Sequence, residues 1–239
     1  PQTKQQALAK LGKFRTKIGY PAKWRDYGAL KVAADDLVGN VRRAASFEHQ
    51  RQVAKLGTPV DRDEWFMTPQ TVNAYYNPSG NEIVFPAAIL QPPFFDPYAD
   101  PAVNYGAIGA VIGHEISHGF DDQGRRSDGD GRLQDWWQPA DADAFGTRAD
   151  KLGAQYAGYE PLAGLFLDPK LTMGENIADL AGLSVAFHAY RLSLADQTAA
   201  VIDGYSGDQR FFMGWAQVWR RLYREDEFAV GIPHQWRRP

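Results

Sequence analysis

The chain contains no cysteine. Disulfides, thiolate metal sites and thiol nucleophiles are thereby excluded together, while the redox compartment stays open. Any metal must sit on histidine and carboxylate side chains. No stretch approaches the ~18 consecutive apolar residues of a membrane span, and Pro1-Gln2-Thr3-Lys4 does not open a signal segment. Positive charge is not in excess either: a net charge of −3 without a long basic run argues against a nucleic-acid partner. A glycine-rich phosphate cradle is also missing. What is present is material for a core, since 44% of the 239 residues are hydrophobic and 13% aromatic. That composition predicts a globular chain of one large domain or two small ones.

The densest chemistry lies in Ile112-Gly113-His114-Glu115-Ile116-Ser117-His118-Gly119, an H-E-x-x-H motif. Residues four apart on a helix share a face, so His114 and His118 can hold one metal ion. Glu115 leaves the helix about 100° round from His114, which suits a general base near the metal better than a third ligand. Asp100 as N-cap and Pro101 at the first helical position predict a helix over 100–119, with Val103, Ile108, Val111 and Ile112 as its apolar positions. Such a motif also arises by chance on surface helices, so a third ligand is required.

Upstream, Leu8, Leu11, Phe14 and Ile18 recur at helical spacing and predict a helix over 3–20, within a helical N-terminal part covering 1–60. A second helix fits 35–56 through Leu37, Val41, Ala44, Phe47 and Ala54, and His49 lies on its solvated face with no second ligand beside it. Thr71-Val72-Asn73-Ala74-Tyr75-Tyr76 and Glu82-Ile83-Val84-Phe85 read as a hairpin joined by Asn77-Pro78-Ser79-Gly80-Asn81. The proline-rich run over 86–97 reads as a loop or pocket wall, and the Asp- and Gly-rich run over 121–135 as turns. The turn reading is favoured over a calcium loop there, because the third oxygen ligand and the distal Glu of an EF-hand are missing. A polar helix over 141–156 follows.

Thr172-Met173-Gly174-Glu175-Asn176-Ile177-Ala178-Asp179 offers the missing ligand at the start of a helix over 172–194. Glu175 can complete a set of two His and one carboxylate, leaving the fourth position open as a catalytic zinc requires. Asp179, one turn on, can accept the N–H of a ligating imidazole and fix its tautomer. The competing reading is a capping box, Thr172-x-x-Glu175, in which the carboxylate turns back to its own helix. His188 falls about 220° round from Glu175 and points away from that face. A last helix over 208–224, capped by Asp208 and apolar at Phe211, Phe212, Trp215, Val218, Trp219 and Leu222, is expected to pack on the core.

Taken with Val72-Asn73-Ala74-Tyr75-Tyr76, Ile83-Val84-Phe85-Pro86-Ala87, Ile89-Leu90-Gln91-Pro92-Pro93-Phe94-Phe95, His118-Gly119-Phe120-Asp121-Asp122 and Ala216-Gln217-Val218-Trp219, these blocks resemble, in order, the neprilysin and endothelin-converting-enzyme type of zinc endopeptidases. The resemblance covers roughly residues 3–225. It implies a single zincin-like (gluzincin) catalytic domain over 1–239, α+β and mainly α, with a small antiparallel sheet at 71–95 beside the H-E-x-x-H helix. It further implies one zinc ion on His114, His118 and Glu175, with Glu115 as base and Asp179 orienting a zinc histidine. Asn73 and Ala74 would hold the substrate backbone, as an edge strand can. Ile89, Phe94, Val111 and Trp219 match the family's pocket for a large apolar side chain just after the scissile bond.

The expected reaction is hydrolysis of peptide bonds on the amino side of large hydrophobic residues, by Glu115-assisted attack of a zinc-bound water. The substrate is a peptide or polypeptide, and the family suggests an extracytoplasmic location. Two departures qualify this. Family members are much longer, with a mostly helical domain ahead of the catalytic one that is not in this chain. Their D-x-H-S-P-x-x-x-R segment, which stabilises the oxyanion and holds a substrate carbonyl, is matched only by Pro233-His234, with Arg237 three residues on where the pattern wants six. Losing one oxyanion donor typically costs ~10²–10³ in rate. The alternative is accordingly a catalytically impaired zinc-binding homologue that acts as a peptide-binding or assembly module.

Overall fold

The computed structural model describes residues 1–195 and 197–224, which form two compact units, one of residues 20–67 and one of residues 1–19 with everything from Thr68 onward. The smaller unit is built on α2 (Leu37–Val53), whose N-cap Asp36 accepts from the Gly39 amide. Arg51 of α2 bridges Glu48 and Glu64, and Tyr27 packs on Phe47 with ring centroids 5.8 Å apart. His49 is exposed on this helix, as its polar surroundings imply.

The larger unit begins with α1 (Gln2–Gly12) and β1 (Arg15–Gly19), followed later by β2 (Tyr75–Asn77) and β3 (Glu82–Pro86). The single helix expected over 3–20 is therefore corrected to a helix and a strand. Leu8, Leu11 and Ile18 do trace a helical stripe, but all three are exposed, so burial does not reward continuing the helix. Instead the Arg15–Gly19 backbone pairs in parallel with β3, which is buried along its whole length. Tertiary pairing outweighs local periodicity here. The sheet is correspondingly mixed, with order β1-β3-β2, and only its β2–β3 pair is antiparallel. The hairpin turn ends on Asn81, whose left-handed φ of 47° is one asparagine tolerates.

The metal-motif helix is assembled in three pieces: α3 (Pro101–Asn104), a π-helical stretch (Tyr105–Gly109) and α4 (Ala110–His118). The start is fixed by Arg210, which donates to Asp100 at 2.6 Å and to the Ala200 and Tyr205 carbonyls. The wider π turn lies against α7 (Gly207–Val218) so closely that a Cβ at Gly106 would overlap the Phe211 carbonyl. Farther along come α5 (Pro139–Ala157) and α6 (Met173–Ser193). The last helix starts from a Ser206–Gln209 capping box, with Asp208 bound to Arg191 rather than acting as the cap, and it ends at Val218 rather than at 224.

Two apolar clusters place α4 between the sheet and the other helices. Val111 and Ile108 pack with Ile83, Phe85 and Ile89, whereas Ala110 packs with Ala186, Tyr190 and Phe211. Each large apolar side chain fully buried in this way contributes about 1.5–3 kcal/mol. α4 and α6 meet backbone to backbone at Gly113 and Gly182: a Cβ on Gly113 would lie 2.5 Å from the Gly182 carbonyl, and one on Gly182 would overlap the His114 amide. Because the obstacles are backbone, Gly182→Ala must force the helices apart. We expect a cost of about 1–3 kcal/mol, measurable as a fall in Tm of about 2–4 °C per kcal/mol, together with weaker zinc binding; an unchanged Tm would contradict the close crossing.

Candidate metal centre and active site

The helix crossing brings the two halves of the motif together. On α4, His114 and Glu115 are almost fully buried and His118 is half-buried, with the two imidazoles perpendicular and their centroids 4.5 Å apart. From the first turn of α6, Glu175 Oε2 reaches to 3.2 Å from His114 Nε2 and 3.7 Å from His118 Nε2. Ligand bonds of ~2.0–2.2 Å at tetrahedral angles place neighbouring donor atoms about 3.3–3.5 Å apart. The two separations from Glu175 fall on either side of that spacing. Ligand atoms of His114, Glu115 and His118 also lie within 4.8 Å of one another, so two carboxylates border the same point.

The capping-box reading of Thr172-x-x-Glu175 does not hold. Thr172 is the N-cap of α6 but its side chain makes no cap bond, and its hydroxyl instead accepts from Asn176 Nδ2 at 3.1 Å.

Both imidazoles are oriented by a carboxylate on the far nitrogen. His114 Nδ1 lies 2.7 Å from Asp179 Oδ1, one helical turn beyond Glu175. His118 Nδ1 lies 2.7 Å from Asp121 Oδ2. Each bond places the proton on Nδ1 and turns the Nε2 lone pair towards the other donors. Asp121 was missed in the sequence, where it reads as one acid of a turn-rich run. Its one signal is its place three residues past the second histidine, within side-chain reach across the helix end. The Asp121 carboxylate is itself fixed, accepting from the Gln123 and Gly124 amides at 2.9 and 2.6 Å. Outer partners of this kind typically change metal affinity ~10–100-fold. We expect that loss from Asp179→Asn and from Asp121→Asn alike, read by competition with a chelator; an unchanged affinity in either would deny that bond its orienting role.

A cavity of about 560 Å³ opens over His114, Glu115, His118 and Glu175 and is walled by Asn73, Ala74, Tyr75 and Tyr76. Asn73 and Ala74 precede edge strand β2 and face this space. A second cavity of about 520 Å³ adjoins the other side of Glu175, lined by Leu180, Leu183, Trp215 and Trp219. Of the four residues expected in an apolar pocket, Trp219 lines this second cavity, whereas Ile89 and Val111 are buried in the sheet-side cluster with Phe94 packed on it. His188 is exposed on α6. His234 and Arg237 lie outside the described residues.

The family model described as Peptidase family M13 matches residues 73–233 of this sequence. The chain belongs to peptidase family M13. It is 38% identical over 229 residues to Neprilysin-3 of Drosophila melanogaster, covering 91% of this chain and 29% of that protein. To human endothelin-converting enzyme 1 it is 39% identical over 251 residues, covering 98% of this chain and 32% of that one. Among solved structures, the Mycobacterium tuberculosis zinc metalloprotease Zmp1 in complex with an inhibitor matches with a TM-score of 0.96 and 59% identity, over 98% of this chain and 37% of that chain. The chain thus spans roughly a third of the length of its M13 relatives. The fold is zincin-like and mainly helical, and zinc is the cofactor to which the family and the His-Glu-x-x-His group point. No helix among the described residues is long and apolar enough to cross a membrane.

Proposed function

We propose that this chain is the metal-binding catalytic part of a zinc endopeptidase that cleaves peptide bonds on the amino side of large hydrophobic residues. The observation that carries this reading is the approach of Glu175 Oε2 to both Nε2 atoms, with each Nδ1 held by its own carboxylate. His114, His118 and Glu175 would hold the zinc. When bound, zinc supplies Lewis acidity, which acidifies water and polarises a carbonyl.

The chain's own residues do the rest. Glu115, buried at the floor of the larger cavity, takes a proton from the attacking water and returns it to the leaving amine. Asp179 and Asp121 keep both imidazoles in one tautomer. Asn73 and Ala74 present main-chain groups to an extended peptide beside the edge of the sheet. The cavity at Trp219 and Leu183 is walled by leucines and tryptophans on one side and by polar groups including Glu175, Asn176 and Asp179 on the other, and it is large enough for an aromatic or leucine side chain. His234 and Arg237 are the proposed donors to the oxyanion and to a substrate carbonyl. The proposed single zincin-like catalytic domain over 1–239 has its whole metal centre in the unit of residues 1–19 and Thr68 onward, and family membership supports an extracytoplasmic setting.

Cleavage of a quenched fluorescent peptide with Phe or Leu after the scissile bond tests this directly. Turnover that disappears with a chelator and returns with zinc is expected; a zinc-loaded chain that binds the peptide without cutting it would overturn the enzymatic reading in favour of a peptide-binding module.

A further inference from the structure

Lysine on a surface helix normally keeps its ammonium in water. Lys10 of α1 does not: it is only 2% exposed, and its Nζ donates to three main-chain carbonyls, those of Gly119 at 2.6 Å, Gly124 at 2.8 Å and Ser127 at 2.7 Å. The rings of Tyr76, Phe120 and Trp136 surround it at 5.5–6.0 Å. All three donor positions of the ammonium are thus spent on one segment.

That segment matters to the metal centre. Gly119 caps α4 directly after His118, and the three carbonyls bracket the turn that carries Asp121. Asp121 is anchored to this turn through the Gln123 and Gly124 amides, and its other oxygen faces His118 Nδ1. A closed chain of contacts therefore runs from Lys10 through the turn to Asp121 and on to the His118 ring. The ammonium also sits at the C-terminal end of α4, where a positive charge is favoured. Burial lowers its pKa to about 8, with Asp121 and Asp128 pushing it back up, and the three accepting carbonyls match the three N–H donors of the charged form.

We propose that Lys10 is a positioning residue for the metal centre, which sets the His118 imidazole by fixing the turn that holds Asp121. The proposal rests on the reading of His118 as a zinc ligand. No hydrogen bond from Lys10 reaches the metal donors themselves; its effect passes through the loop.

The test uses Lys10→Met, which removes all donors, and Lys10→Gln, which keeps two N–H donors and loses the charge, so that a variant remains if the first fails to fold. Two quantities are read on the whole chain: zinc affinity by chelator competition, and the ring ¹⁵N and Nδ1–H signals of the two motif histidines with zinc bound. Zinc affinity is expected to fall about tenfold, the lower end for outer partners. The His118 signals should move while those of His114, held by Asp179, stay in place. A general loss of stability would not produce that selectivity. Lys10→Gln added to Asp121→Asn should cost little more than Asp121→Asn alone, because both act on one contact. Wild-type chain that binds no zinc would overturn the ligand reading and this proposal together. Normal wild-type binding, with unchanged affinity and unchanged His118 signals in a folded Lys10 variant, would overturn the proposal alone.

Discussion

Glu175→Ala is expected to weaken zinc binding by more than the ~10–100-fold typical of outer-shell partners, while the apo chain keeps its fold. On the proposed reading the carboxylate is the one donor that α6 contributes, and its Oε2 lies 3.2 and 3.7 Å from the two imidazole Nε2 atoms. Without it, two neutral imidazoles remain to hold a divalent cation, short of the three protein ligands of catalytic zinc sites. The Glu175 side chain is 41% exposed, and changes at such positions usually alter stability by within about 0.5 kcal/mol. Chelator competition and thermal melts, run side by side, separate the two effects. Glu115 provides the internal contrast, since it too lies close to both histidines. If Glu115 rather than Glu175 were the carboxylate ligand, Glu175→Ala would retain zinc and Glu115→Gln would lose it.

Glu115→Gln is expected to reduce kcat by about 10²–10⁴-fold, the usual contribution of a positioned acid–base group, with one zinc per chain retained. Glutamine preserves the shape of a side chain that is only 2% exposed, so the pocket should not collapse. It removes the ability to accept a proton from water. Because substrate binding is assigned to the edge beside β2 and to the cavity at Trp219, KM should change little. A fall in kcat/KM carried wholly by KM would instead place Glu115 in substrate binding.

The pairings of His114 with His118 and of Glu175 with Asp179 on one helix face each were legible because four-residue spacing on a helix is a local signal. Asp121, Lys10 and β1 were not, for a common physical reason: each is defined by a contact far away in sequence or by a turn. The Arg15–Gly19 stretch becomes a strand because Glu82–Pro86 is there to pair with it, and its own apolar spacing favours a helix. Lys10 reads as a solvated lysine until the Gly119–Ser127 carbonyls close over it. The Thr172-x-x-Glu175 ambiguity was likewise undecidable locally, since what settles it is the arrival of two imidazoles from α4. Ile89 and Val111 show the reverse case, where matching a family position did not place the side chain in either cavity at the metal centre.

The most direct test of the central claim is X-ray absorption at the zinc edge on the zinc-loaded chain, paired with metal content. The account predicts one zinc per chain, with scattering from two imidazoles and a carboxylate oxygen at ~2.0–2.2 Å. Zinc well below one per chain, or a first shell without two imidazoles, would contradict it.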